Sequence, residues 1–291
     1  MRILIVGGAG YVGSHVAQAC IDAGHDVTIL DNLSTGHAYS IPAGCEFFEA
    51  DMTAGVVRVP DSIIFLAAKI SIADSVSHPQ DYFRVNVDKT LYFLGKCFSK
   101  NYIKNIVFAS SAAAEKPHTI YGEGKRTIEQ FLYKYGPYFG KNTISLRLFN
   151  VAGADEKGRR GEEHTPETHL IPNVLGSIRD NTPVKIYGNC LRDYVHVQDV
   201  ADAFLRAATC GDSYEYLEVG TGEITSTKQI IELAEFVTGK PVQAERLKDR
   251  HGDDIFMVSG DHQATRKALD WTPKRVLLDI IETASRWHQC R

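Results

Sequence analysis

The chain has 291 residues, of which 44% are hydrophobic, and a formal net charge of −4. This length and composition predict an ordinary globular core, in one large domain or two smaller ones. The small negative charge argues against a general affinity for nucleic acid or membrane surfaces. No apolar run approaches the ~18 residues of a membrane span, and residues 3–6 are too few for the core of a signal peptide.

Six cysteines are scattered along the chain, and none forms a C-x-x-C pair. This spacing favours reduced thiols over disulfides or a zinc site. Reduced thiols are typical of the cytoplasm, so we expect a cytoplasmic protein.

The first predicted strand, residues 2–6, leads into the glycine-rich turn of residues 7–13, and a helix closing at Gly24 follows. A glycine turn between a strand and a helix is typical of dinucleotide binding. Gly7 permits the tight turn, Gly10 lets the backbone approach a pyrophosphate, and Gly13 lets the helix pack on the strand. The helix N-terminus offers N–H groups and a partial positive charge to the phosphates.

The second predicted strand, residues 26–30, ends on Asp31, eighteen residues after Gly13. A carboxylate in that place can accept hydrogen bonds from a ribose 2′-hydroxyl, and it repels a 2′-phosphate. No arginine follows within the next ten residues. The sequence therefore predicts NAD as the cofactor, in preference to NADP.

Strands and helices alternate through the rest of the first half. The predicted strands are residues 46–50, 63–66, 105–109 and 144–149, and the predicted helices run from Asp81 to about Phe98 and from about Gly124 to Tyr135. This rhythm predicts an α/β fold with a doubly wound parallel sheet of the Rossmann type.

The chain changes character after Asn150. Residues 153–168 are polar and without period, and helices are predicted over residues 170–180, 197–209, 227–238 and 277–288. We expect a NAD-binding domain over residues 1–150 and a smaller C-terminal substrate-binding domain over residues 151–291. Part of residues 190–215 is expected to pack back on the first domain.

Ser111, Tyr121 and Lys125 are the candidate catalytic residues. Ser111 follows a predicted parallel strand, and ligands bind beyond the carboxyl ends of such strands. Tyr121 and Lys125 are four residues apart, which places them on one face of a helix. A neighbouring ammonium and a positive nicotinamide ring would favour the phenolate, which would make Tyr121 a usable base near neutral pH.

Six stretches carry a resemblance over almost the whole chain: GGAGYVGSH, DNLSTG, YGEGKRTIE, RLFNVAGA, GEEHTPETHLIP and RDYVHVQDVADA. They are similar to the extended short-chain dehydrogenase/reductase family and, within it, to the UDP-glucose 4-epimerase group. The fifth stretch is the most specific. The resemblance implies NAD-dependent 4-epimerisation of UDP-hexoses through a transient 4-keto sugar, in a homodimer paired through helix 81–98 and the helix after Tyr121.

The resemblance also implies roles for individual residues. The implied cofactor contacts are Gly7, Gly10, Tyr11 and Val12 at the pyrophosphate, Asp31 and Asn32 at the adenosine ribose, Asp51 and Met52 at the adenine, Leu66, Ala67, Ala68 and Asn86 along the cleft, and Lys125 at the nicotinamide ribose. The implied substrate contacts are Asn150, Leu170, Arg192 and Arg250 at the phosphates, Tyr187 at the uracil, Asp253 at the ribose and Met257 beside the hexose 2-substituent.

The sequence departs from the family in several loops. Only nine residues separate Ser111 from Tyr121, and the connection over residues 52–62 is too short for the usual helix. The alternatives are a dehydratase or UDP-uronate epimerase of the same fold, or a NAD-binding regulator with weakened activity. Ala112 and Ala113, which follow Ser111, argue against a dehydratase, and the retained catalytic residues argue against a regulator. The cluster Glu162, Glu163, His164, Glu167 and His169 lacks a helical HExxH spacing, so no metal is expected.

Overall fold

The computed structural model describes residues 1–188, 190–247 and 262–290. The first elements are β1 (Arg2–Val6), α1 (Tyr11–Asp22), β2 (Asp26–Asp31), β3 (Glu46–Glu49), β4 (Ser62–Phe65), α2 (Ile72–Ser77), α3 (Pro79–Phe83), a π-helical segment (Arg84–Lys89), α4 (Thr90–Phe98), β5 (Asn105–Ser111), α5 (Ile120–Tyr135) and β6 (Asn142–Leu148). The later elements are β7 (Asn150–Ala152), α6 (Leu170–Asp180), β8 (Val184–Tyr187), β9 (Leu191–Arg192), β10 (Tyr194–His196), α7 (Val197–Thr209), β11 (Tyr214–Val219), β12 (Thr225–Ser226), α8 (Thr227–Thr238), β13 (Ala244–Leu247), α9 (His262–Leu269) and α10 (Leu277–Gln289).

Seven parallel strands form the central sheet, in the order β11-β6-β5-β4-β1-β2-β3. The chain leaves β1 on one side to build β2 and β3, and it returns to the other side for β4, β5 and β6. The strand order therefore reverses between β1 and β4. Ligands of such sheets bind at this reversal, beyond the carboxyl ends of the strands. The predicted doubly wound parallel sheet is confirmed.

Helices cover both faces of the sheet. Successive residues of a strand point to opposite faces, so Ile3 and Ile5 pack in one apolar cluster with α1 and α7, whereas Leu4 and Val6 pack in another with α4 and α5. Burial on both faces explains why these strands are almost continuously apolar.

A third apolar cluster lies in the chain after residue 150. It joins Ile171 of α6, Ile230 of α8 and Ile280 of α10 with Val184 of β8. β8 pairs with β13 in a small parallel sheet. These elements form the wall that faces the carboxyl end of the central sheet.

Two predicted boundaries are wrong near the candidate catalytic residues. α5 begins at Ile120, not near Gly124, because Thr119 caps it and its Oγ accepts a hydrogen bond from the Gly122 N–H at 3.2 Å. β5 extends to Ser111, beyond the predicted end at Ala109. Tyr121 therefore lies in the first turn of a helix, and Ser111 is the last residue of a strand.

β11 was not predicted. It lies beside β6 as the edge strand of the central sheet. Its first three residues, which include a charged one, are partly buried or exposed, and its last three are buried. The preceding helix, α7, packs against α1 in the first apolar cluster. The chain after residue 150 thus returns to complete the first sheet.

Among the described residues, no helix is both long enough and apolar enough to cross a membrane. All six cysteines are free thiols, as their spacing predicts.

Candidate active site

An open cavity of about 1490 Å³ lies beyond the carboxyl ends of the central strands. Its wall contains the glycine turn, Asp31 at the end of β2 and Ser111 at the end of β5, and it extends to Tyr187 and Arg192 on the opposite side. The point where the strand order reverses therefore opens into a groove large enough for two elongated ligands.

The glycine turn has the shape that the pyrophosphate of a dinucleotide requires. Gly7 has φ +87°, and a Cβ on it would lie 2.6 Å from the Ala67 nitrogen. A Cβ on Gly13 would lie 2.1 Å from the Gly7 oxygen, so α1 packs directly on the turn. At Gly10 the nearest atom would be 3.5 Å away, which leaves this backbone open to the cavity. No side chain of the described residues caps the start of α1, which leaves its N-terminus available to an anion.

Asp31 is held by the backbone around it. Its two carboxylate oxygens accept hydrogen bonds from the Ala9 N–H at 2.9 Å and the Leu33 N–H at 2.8 Å. Each oxygen keeps a further lone pair for a ligand hydroxyl. Asp31 and Asn32 both line the cavity.

Asp51, another expected cofactor residue, also lines the cavity. Its carboxylate accepts hydrogen bonds from Lys89 Nζ at 2.7 Å and from the Thr53 N–H at 2.9 Å. Burial opposes ionisation, but these hydrogen bonds lower the pKa of Asp51 to about 2. Met52 is buried beside it and also lines the cavity. Lys89 was missed by sequence reasoning because the pairing joins residues 38 positions apart.

Asn86 is the expected cofactor residue that is not among the side chains lining the cavity. It is buried, and its amide accepts from the Lys69 N–H at 2.8 Å and donates to the Lys69 carbonyl at 2.9 Å. It braces the segment that follows Leu66, Ala67 and Ala68, all of which do line the cavity.

Ser111, Tyr121 and Lys125 converge on the cavity from β5 and α5. The Ser111 side chain lies near enough to the Tyr121 hydroxyl to lower its pKa by hydrogen bonding. Lys125 Nζ lies 5.7 Å from the centroid of the Tyr121 ring and donates to the Ala109 carbonyl at 2.6 Å. The three residues thus have the mutual geometry of a base, its orienting hydroxyl and a nearby cation.

The protein by itself does not lower the pKa of Tyr121. Burial raises it, and the hydrogen bond with Ser111 only partly offsets this. Burial also lowers the pKa of Lys125 to about 8, against the attraction of Glu129. The expected help from the Lys125 charge is weak because its ammonium is turned to the Ala109 carbonyl. A low tyrosine pKa would thus need a further positive charge in the cavity.

A buried ion pair lies beneath these residues and was missed by sequence reasoning. Arg147 donates two hydrogen bonds of 2.9 Å to Glu129, and Ser110 Oγ donates to the same carboxylate at 2.6 Å. The pair connects β5, α5 and β6. Glu129 follows Lys125 by one helical turn. That spacing could have identified Glu129 from the sequence as a residue on the same face of the helix.

Four expected substrate residues line the opposite wall: Asn150, Leu170, Tyr187 and Arg192. The Asn150 amide donates to the Asp193 carbonyl at 3.0 Å. Three other expected substrate residues lie outside the described residues, namely Arg250, Asp253 and Met257.

Comparison with known proteins gives consistent results. Residues 3–220 match the model of the NAD dependent epimerase/dehydratase family. The chain is 35% identical to a UDP-glucose 4-epimerase of Halalkalibacterium halodurans, over 99% of this chain and 96% of the relative.

Two solved structures are similar over nearly the whole chain. A UDP-glucose 4-epimerase from Brucella ovis in complex with NAD has a TM-score of 0.90 at 31% identity, covering 98% of this chain and 97% of that one. A UDP-glucose 4-epimerase from Thermotoga maritima with UDP-glucose has a TM-score of 0.89 at 27% identity, covering 100% and 99%.

Proposed function

We propose that this chain, which belongs to the NAD-dependent epimerase/dehydratase family, is an isomerase that interconverts UDP-hexoses differing at C4, of the UDP-glucose and UDP-galactose type. The observation that carries the proposal is the meeting of Ser111, Tyr121 and Lys125 in a cavity that begins at a dinucleotide turn and ends at Tyr187 and Arg192. The cavity thus joins a cofactor side and a substrate side at one set of acid–base groups.

The cofactor is NAD, and the residues present fit it. The glycine turn leaves room for a pyrophosphate at Gly10, and Asp31 offers carboxylate oxygens where a ribose would lie. When bound, NAD supplies a ring that can take up a hydride and give it back, so the cofactor ends unchanged. A positive ring beside Tyr121 would favour its phenolate, against the burial that raises its pKa.

Each catalytic residue has a role that follows from its position. Tyr121 removes the proton of the sugar 4-hydroxyl and later returns it. Ser111 hydrogen-bonds the sugar O4 and orients the Tyr121 hydroxyl. Lys125 would hold the nicotinamide ribose, and its ammonium lies 5.7 Å from the centroid of the Tyr121 ring while it donates to the Ala109 carbonyl. Rotation of the 4-keto sugar about its diphosphate link would present its other face, which is what inversion at C4 requires.

The substrate side binds the nucleotide diphosphate. Asn150, Leu170 and Arg192 line the cavity and are proposed to contact the phosphates, and Tyr187, which also lines it, would offer its ring to the uracil. A guanidinium suits a diphosphate because its planar donors match two oxygens at once. From the resemblance alone, Arg250 and Asp253 are proposed to bind the same nucleotide, and Met257 is proposed to contact the hexose 2-substituent. A flexible side chain at that position would admit an N-acetyl group at some cost.

A dehydratase of the same fold is less well supported. Such an enzyme would need an acidic group just after the catalytic serine, to expel the 6-hydroxyl. Ala112 and Ala113 occupy those positions, and both are buried.

The protein is further proposed to act in the cytoplasm as a homodimer. Four aromatic side chains on α3, α4 and α5 are exposed: Phe83, Tyr92, Tyr133 and Tyr135. Exposed aromatic groups concentrated on neighbouring helices are typical of a protein interface. Light scattering should give twice the chain mass, and lysine in place of both Tyr92 and Tyr133 should give the monomer.

The activity can be tested with three substrates. The protein should be incubated separately with UDP-galactose, UDP-N-acetylgalactosamine and UDP-galacturonate, and the 4-epimers followed by NMR. We expect rapid interconversion of UDP-galactose and UDP-glucose, slower turnover of the N-acetyl pair, and none of the uronate. Epimerisation of the uronate alone would overturn the assigned substrate, and no epimer from any of the three would overturn the activity.

A further inference from the structure

Four potential metal ligands meet on the cavity wall at some distance in sequence from the glycine turn. One ligand atom each from Glu162, His164, Glu167 and His169 lies within 4.8 Å of every other. Glu162 is 5% exposed, whereas half of the His169 side chain is accessible. All four residues line the cavity, so an ion can reach them.

We propose that these four side chains bind one divalent transition-metal ion, with zinc the best fit. Two imidazoles and two carboxylates form a mixed nitrogen–oxygen set of four, and zinc accepts both ligand types in tetrahedral geometry. The ligands come from a loop and the residue before α6. A search for helical ligand spacing therefore overlooks them.

The distances around His164 carry the argument. Its Nδ1 lies 3.6 Å from a Glu167 oxygen and 3.7 Å from a Glu162 oxygen. Two ligands about 2.1 Å from a tetrahedral ion are about 3.4 Å apart, so these separations need only small adjustments. His164 Nδ1 is also buried without a hydrogen bond. A histidine–glutamate cluster without an ion explains the pairing of His169 with Glu162. It leaves the His164 nitrogen between two carboxylate oxygens without a hydrogen bond to either.

The hydrogen bonds around the cluster leave a carboxylate oxygen of Glu167 available to bind an ion. Glu167 Oε1 accepts from the Thr168 and His169 N–H groups at 2.8 Å each, so Oε2 is the atom that faces His164. Trp287 Nε1 donates to the Glu162 carbonyl at 3.2 Å and fixes the loop on α10. A carboxylate as buried as Glu162 requires cationic partners, and an ion satisfies it together with Glu167.

Metal binding can be measured without reference to catalysis. Untagged protein, stripped with a chelator and then freed of it, should be titrated with Zn²⁺ by calorimetry and with Co²⁺ by visible absorption. We expect one ion per chain, with the absorption bands of tetrahedral Co²⁺. Replacing both histidines (H164A and H169A) should weaken binding at least ~10-fold, since even outer-shell changes cost that much.

The matched control is H78A. His78 is also a histidine paired with a carboxylate, Asp74, but it lies at the surface outside the cluster. This variant should bind Zn²⁺ with the same affinity and stoichiometry as the unaltered protein. Zn²⁺ should also raise the melting temperature of the unaltered protein, because an ion that binds the native state stabilises it.

Equal binding by the unaltered protein and the double variant would overturn the proposal, as would no binding by either. The single variant H169A replaces the double variant if the latter does not fold, since this side chain is half exposed. An inactive protein that binds the ion would contradict the proposed function but support this inference.

Discussion

At the scale of single residues, Tyr121 is the group on which the proposed chemistry depends. Burial raises its pKa, and Ser111 is its hydrogen-bonding neighbour. We expect Tyr121→Phe to keep the fold and NAD binding because only a hydroxyl is lost. The kcat should fall at least ~10²-fold, the lower limit for general acid–base catalysis. Steady-state kinetics and the release of NAD on denaturation provide the measurements.

The control for this substitution is Tyr138→Phe. Tyr138 lies three residues after the end of the same helix, and its side chain is 83% exposed. It should leave the kcat unchanged. Near-normal turnover by Tyr121→Phe would remove that tyrosine from its role as base.

Asp31 sets the expected preference for NAD over NADP. Asp31→Asn keeps a carbonyl oxygen that can accept from the Ala9 or Leu33 N–H, but it removes the charge that repels a 2′-phosphate. We therefore expect weaker NAD binding and a smaller preference over NADP, measured by equilibrium titration of cofactor-free protein. An unchanged ratio of the two dissociation constants would rule out charge repulsion as the cause.

At the scale of elements, the contact between α1 and the glycine turn allows a matched comparison of two helical glycines. A Cβ on Gly13 would lie 2.1 Å from the Gly7 oxygen, whereas no atom lies within 4 Å of a Cβ on Gly95 in α4. Gly13→Ala must displace α1 from the turn, so it should destabilise the fold and weaken NAD binding. Gly95→Ala should stabilise by about 0.4–1 kcal/mol, through the lost entropy of the unfolded chain.

Urea unfolding and NAD titration of both variants test this comparison. If Gly13→Ala bound NAD with unchanged affinity, α1 would not need to approach the turn so closely. The same outcome would weaken the case for a pyrophosphate at Gly10.

At the scale of the whole molecule, two buried histidines couple stability to pH. Burial lowers the pKa of His15 to about 4 and that of His196 to about 3. The pKa of an unfolded histidine is about 6.5, so below that value the unfolded chain binds more protons than the folded one. Stability should therefore fall as the pH falls from about 6.5 towards 4.

The slope for each histidine is about 1.4 kcal/mol per pH unit within that window. The free energy of unfolding should be measured in urea at pH 7 and pH 5. His15 alone should account for roughly 2 kcal/mol of the fall in the free energy of unfolding between pH 7 and pH 5, so His15→Gln should reduce that fall by this amount. Equal differences in both proteins would show that His15 is not held neutral.

The local sequence was enough to predict the first half of the fold and most of the cofactor side. The turn from residue 7 to residue 13, the strand that ends on Asp31 and the spacing of Tyr121 and Lys125 are contained in short windows. Their physical requirements are local ones, such as a tight turn, an alternating apolar pattern and one helical face. The resemblance to a known family then supplied the candidate substrate residues Asn150, Leu170, Tyr187 and Arg192, all of which line the cavity.

Only the tertiary structure decided which distant residues meet. β11 joins the central sheet, Lys89 pairs with Asp51, and Arg147 pairs with Glu129 beneath Lys125. No periodic pattern in the sequence predicts these contacts, because they depend on the packing of segments far apart in the chain. The same reason applies to His164 and His169, whose irregular spacing along a loop does not show that their ligand atoms converge.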